Sequence, residues 1–203
     1  FVSRSALAFV SGVKPASTLY AIWLIKRTDT DVVDVLFSTS FAAPTMPASY
    51  DKKRLIAAIM TNAANAIIAY LQSGDEFRLL APTTEVTDAA MVTLVFETAT
   101  LRVPPLCIAN LYANYTVSFQ DAVDIYLRTN GASDSSASFI FASMNVNSQF
   151  PVLFGHEQET VLAKVLVSSL SQIQYAARID VALTSFNIVN LGFTMITREN
   201  PIF

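Results

Sequence analysis

Three residue types that carry much of protein chemistry occur once each in this chain of 203 residues: Cys107, His156 and Trp23. A lone cysteine forms no disulfide within the chain. In "PPLCIANLY" Cys107 reads as a small buried apolar residue. His156 lies in "FPVLFGHEQET", and the residues after it are Glu157, Gln158, Glu159 and Thr160, so the HExxH metalloprotease pattern is absent. No GxSxG elbow or second histidine accompanies it, and a nucleophile without a base beside it is not activated. The expectation for His156 is a loop residue in a polar turn. Five glycines leave no phosphate-cradling loop.

Charge is also scarce. Charged residues make up 14% of the chain, where about a quarter is usual. The net charge is −3, and "DKKR" (51–54) is the only basic cluster. That argues against genome coating by phosphate neutralisation within this segment. No apolar run approaches the roughly 18 residues a membrane helix needs. The best attempts, "LIAAIM" and "AIIAYL", are separated by "TNAAN". Nothing at the start has the pattern of a signal peptide. The first residue is Phe1 rather than Met, so a fragment or a processed product is expected.

What is plentiful is apolar side chain: 53% of residues, with a mean hydropathy of +0.45. Too few charges remain to coat a sphere, so association with other subunits is expected, a Ser/Thr/Asn-coated monomer being the alternative. The length suffices for one large β domain or two small ones, with a core that needs no staples.

The apolar residues fall in strand-length segments. "STLYAIWLIK" (17–26) and "VVDVLFSTS" (32–40) form a predicted hairpin closed by "RTDTD". Residues two apart share a face, which places Trp23 inward with Leu19, Ala21 and Ile25. "APTMPASY" (43–50) carries two prolines and predicts an extended connection. The run from Lys52 to Leu80 is ambiguous. Its propensity allows a long helix, whereas Asn62 and Asn65 interrupt it as turn residues between two strand-length halves. The hairpin reading puts Leu55, Ala57 and Ile59 on one face and Ile56, Ala58 and Met60 on the other. Further strands are predicted at 91–103, 106–119, 122–129, 139–146, 160–168, 171–179 and 184–197. Such punctuation predicts an all-β chain: an antiparallel β-sandwich, jelly-roll-like, over 83–203, preceded by a smaller β-hairpin-rich part over 1–82.

Residues 14–80 carry a recognisable order of motifs: "STLYAIWLI" (17–25), "LFSTSFAAPTMPASY" (36–50), "KRLIAAI" (53–59) and "GDEF" (74–77). This block resembles a module of tail-fibre and other virion structural proteins of tailed bacteriophages and prophages. More loosely, "TLRVPPLCIANLYANY" and "SQIQYAARIDVALTSFNIVNLGFTMITREN" resemble later segments of the same family. Two departures stand out. Ala57 and Ser49 occupy positions where that family usually has glycine, which bears on local turn geometry. The resemblance implies β structure for the alanine-rich run, a virion location, a role in host attachment and a trimeric homo-oligomer. Expected partners are other virion proteins and a host-surface glycan or protein, with no nucleic acid and no membrane insertion.

Carboxylates do not gather into a catalytic or metal pattern. Asp29, Asp31 and Asp34 are spaced like part of a calcium loop, but the turn glycine and the terminal bidentate Glu are missing. Asp75 and Glu76 are adjacent and point to opposite faces of a strand, which does not suit glycoside cleavage across a groove. No enzyme activity, catalytic residue, cofactor or metal is therefore expected. The loops at 130–138 and 145–159 are the candidate contact regions, the second with Phe150, Phe154 and His156, and no receptor residue is assigned. Two rival readings remain: a capsid shell or decoration protein, and a non-catalytic domain of a glycan-depolymerising tail spike.

Overall fold

The computed structural model describes residues 15–88, 95–117, 123–132, 140–144, 157–179 and 183–196. These form twelve strands and no helix. They are β1 (Leu19–Lys26), β2 (Val33–Ser38), β3 (Lys52–Met60), β4 (Tyr70–Ser73), β5 (Glu76–Asp88) and β6 (Glu97–Thr100). Then follow β7 (Ile108–Val117), β8 (Val123–Thr129), β9 (Ile140–Met144), β10 (Glu157–Leu166), β11 (Gln172–Ile179) and β12 (Leu183–Thr194). Every described pairing is antiparallel. The chain divides into two compact units between Ala69 and Tyr70, not at residue 82. Pro82 lies inside β5, in the stretch that β12 skips when its register passes from Thr83 to Arg78. With no ladder bond to donate there, proline is tolerated within a strand.

The first unit holds a sheet in the order β2-β1-β3. Trp23 pairs across to Leu36 on one side and to Leu55 on the other. Its buried cluster is Ala21, Trp23, Ile25 and Leu36, and Phe41, Met46, Tyr50 and Leu55 pack against it. The double-proline connector thus folds back over the Trp23 face. The Trp23 Nε1–H donates to the Ser40 carbonyl at 3.1 Å, and the Tyr50 hydroxyl donates to Asp34 Oδ2 at 3.0 Å.

The face assignment on β3 needs correction. Ile22 pairs with Ala57 and Trp23 with Leu55, so Ile56 is an unpaired bulge. One extra residue reverses the alternation, which puts Leu55 on the side of Ala58 and Met60 rather than that of Ala57 and Ile59. The alanine-rich run is not a helix. Asn62 Oδ1 accepts from the backbone N–H groups of Ala64 and Ala66 at 2.9 and 3.0 Å, and Asn65 takes a φ of 60°. The expected turn therefore forms. Its return arm, however, forms no strand beside β3: it meets the end of β3 at the Thr61–Ile67 bridge, with bonds from Asn62 N–H to the Ala66 carbonyl and from Ile68 N–H to the Met60 carbonyl. The chain then enters β4, which pairs with β5.

The second unit is an antiparallel β-sandwich. One sheet runs β10-β7-β12-β5-β4 and the other β6-β11-β8-β9. Inward positions alternate as sheet geometry demands: Leu111, Ala113 and Tyr115 on β7, Ile125 and Leu127 on β8, Ile173 and Tyr175 on β11. The Tyr175 ring stacks on Phe186 of β12 at 5.6 Å, joining the layers. Among the described residues the sheets have five and four strands, whereas a jelly roll has eight strands in two Greek keys. The class that stands is the antiparallel sandwich.

Candidate binding face

The three aspartates spaced like part of a calcium loop are taken up by local bonds. Arg27 grips Asp29 through Nε and Nη2 at 3.0 and 2.6 Å, Lys26 pairs with Asp31 at 2.8 Å, and Asp34 accepts from Tyr50. The Arg27 hydrogen bond holds the Asp29 carboxyl below its ordinary value. Among the described residues no group of three His, Cys, Asp or Glu is placed to hold a metal. Asp75 sits in the β4–β5 turn and Glu76 opens β5. Burial pushes the Cys107 thiol up to about 12, which leaves it protonated and unreactive at neutral pH. His156, Phe150 and Phe154 lie outside the described residues, as does most of both candidate loops.

One carboxylate is buried in the sandwich. Glu85 is skipped where β12 passes from Val86 to Thr84, so it is a bulge residue. Thr83 Oγ1 donates to its Oε1 at 2.8 Å, Arg102 Nε to its Oε2 at 3.2 Å, and Asn190 Nδ2 to Oε1 at 3.3 Å. Asn190 Oδ1 in turn accepts from Gly192 N–H at 2.8 Å. This cluster satisfies polar groups at two adjacent bulges and pins Arg102 to the sheet. It has the satisfied bonding of a structural network.

The outward face of the four-stranded sheet is different. Alternation turns Tyr126, Arg128 and Asn130 outward from β8 and its end, Gln172 and Gln174 from β11, and Thr98 and Thr100 from β6. Phe96 lies just before β6. The Arg128 guanidinium lies 3.6 Å from the centre of the Phe96 ring, and Phe96 meets Tyr126 edge-on at 6.5 Å. Arg128 Nε donates to Gln174 Oε1 at 2.8 Å. Asn130 Nδ2 donates to Gln172 Oε1 at 2.8 Å, and Gln172 Nε2 to Thr100 Oγ1 at 3.3 Å. Stacking and cross-strand bonds thus fix these side chains before any partner arrives. Sequence reasoning passed over them, although the signal was there: "IYLRTN" and "QIQY" alternate apolar with aromatic, amide or guanidinium, not with Lys or Glu.

Large apolar side chains also stand exposed on this unit. Leu162 is 73% exposed, Leu170 70%, Leu71 60% and Leu80 58%. No family model, curated protein or solved structure matches this chain.

Proposed function

We propose that this chain is a non-enzymatic structural segment of a phage-like virion, part of a tail fibre or related appendage engaged in host attachment, and that it works as a homo-oligomer with a trimer as first expectation. One observation carries the reading. Three of the motifs behind the resemblance build the first unit's sheet and its cap, and the fourth forms the first hairpin turn of the second unit. "STLYAIWLI" lies on β1, the double-proline connector caps Trp23 between β2 and β3, "KRLIAAI" lies on β3, and "GDEF" turns β4 into β5. Assembly is supported by the leucines exposed at both edges of the five-stranded sheet, Leu162 on β10 and Leu71 on β4, on a chain with 14% charged residues. The mechanism is mechanical and adhesive: sandwich sheets hold recognition surfaces rigid while neighbouring subunits cover the leucines.

The test is immunogold labelling of particles with an antibody to this chain, together with light scattering of the purified protein. Label on the tail or its fibres, and a particle of several times 22.1 kDa, are expected. Label over the shell transfers the chain to the capsid or its decoration. Hydrolysis of a host polysaccharide by the purified chain overturns the non-enzymatic reading. A stable monomer at micromolar concentration overturns the assembly.

A further inference from the structure

We propose that the outward face of β6, β11 and β8 is a glycan-binding site, centred on Phe96, Tyr126, Arg128, Asn130 and Gln174. This deepens the attachment reading by naming the surface and the chemical class of its ligand.

The first argument is composition. A solvated sheet face ordinarily carries long charged side chains, because strands alternate between core and water. Among the outward positions of β6, β8 and β11 and the residues that flank them there is no Lys or Glu and a single Asp, Asp124, which pairs across to Arg178; the rest are two aromatics, three amides, two threonines, one alanine and one further arginine. Enrichment in aromatics and Arg with depletion of Lys, Glu and Asp is the signature of a recognition surface.

The second argument is preorganisation. Gln174 holds Arg128, Gln172 bridges Asn130 to Thr100, and Phe96 takes the Arg128 guanidinium over its ring and Tyr126 edge-on. Side chains already fixed lose little freedom on binding.

The third argument selects the ligand. Gln174 spends only its Oε1 and Asn130 only its Nδ2 in these bonds. An amide donor at Gln174 Nε2 and an amide acceptor at Asn130 Oδ1 remain open on one flat surface. A sugar hydroxyl both donates and accepts, so neighbouring hydroxyls of one chain satisfy both ends. A phosphate offers acceptors alone and leaves Asn130 Oδ1 unsatisfied. Tyr126 adds an aromatic surface for the C–H side of a sugar ring.

Affinity electrophoresis of the purified full chain in gels containing dextran, xylan, galactomannan or alginate tests the site, since these cover neutral and acidic sugars of differing hydroxyl orientation. Retardation by at least one polysaccharide is expected. Gln174→Ala and Asn130→Ala should each weaken it about tenfold, corresponding to the loss of one good hydrogen bond. Lys164→Ala, exposed on the other sheet, should leave it unchanged. Melting curves of all variants should match the parent, and if Phe96→Ala does not fold the two amide variants decide. No retardation in any of the four gels overturns the proposal, as does retardation unaffected by both amide variants. A photo-crosslinker at position 126 that captures a second copy also overturns it and makes the face a subunit interface. Labelled virions with no retention sink this inference alone, whereas retention without virion labelling sinks the appendage reading alone.

Discussion

Replacing Trp23 by alanine is the sharpest test of how the first unit holds together. Trp23 is 6% exposed and is the largest member of a cluster whose other buried residues are only Ala21, Ile25 and Leu36. Truncation removes the contacts that Phe41, Met46, Tyr50 and Leu55 make from the connector and β3. Large-to-small changes of this kind cost about 3–5 kcal/mol. The Ser40 carbonyl also loses its indole donor, worth about 1 kcal/mol. A whole domain is stable by only about 5–15 kcal/mol, and a small one lies near the lower end. The three-stranded sheet should therefore open. Fluorescence cannot follow this variant, because Trp23 is the sole tryptophan. Amide hydrogen exchange read by mass spectrometry over β1, β2 and β3 should show protection falling by a factor of about a hundred or more, the equivalent of about 3 kcal/mol. Trp23→Phe, which keeps a ring but loses the bond to Ser40, should fall between the two. Unchanged protection in Trp23→Ala would refute the reasoning, because the connector would then be held by something other than the tryptophan.

Gly192 has a φ of 142°, and an added Cβ would lie 1.9 Å from the Phe77 carbonyl oxygen. Gly192→Ala should cost more than about 4 kcal/mol or prevent folding of the sandwich; a melting temperature within about 2 °C of the parent would count against the bulge geometry. Ser49 holds a φ of 69° where the resembling family usually has glycine. Ser49→Gly should stabilise by about 0.5–1 kcal/mol, relief of left-handed strain outweighing the added chain entropy, and a drop in the urea midpoint would contradict this. The Asp51 carboxyl is held below its ordinary 3.8, first by the Thr28 hydroxyl and also by the Thr28 N–H, at 2.7 and 3.1 Å. A depressed folded value contributes stability above the unfolded value and loses it as pH falls further. The advantage of the parent over Asp51→Asn in urea midpoint should thus be present at pH 6 and shrink as pH drops through about 4 toward 2. An advantage independent of pH would show that the charge plays no part.

The apolar alternation, the proline connector and the asparagine turn are local properties, and the chain alone determined them. Period-two burial on β1 placed Trp23, Ala21 and Ile25 inward, and Asn62 stopped the alanine-rich run because its side chain can serve the backbone N–H groups of the turn. The low charge content likewise fixed in advance that large apolar side chains would remain on the surface. Which strand pairs with which was decided only in three dimensions. β12 lies between β5 and β7, so Phe186 faces Asp88 across nearly half the chain. No local period encodes such a partner; it emerges from closing long loops over a shared core. The bulges at Ile56 and Glu85 follow the same logic, since an extra residue is visible only against the strand that lacks its counterpart. The candidate glycan face divides in the same way. Alternation within β8 and within β11 showed which of their side chains share a side, but Phe96, Arg128 and Gln174 become one surface only because β6, β11 and β8 lie side by side. Side-chain direction along a strand is set by the pleat, and proximity across strands is set by register, which no single strand contains.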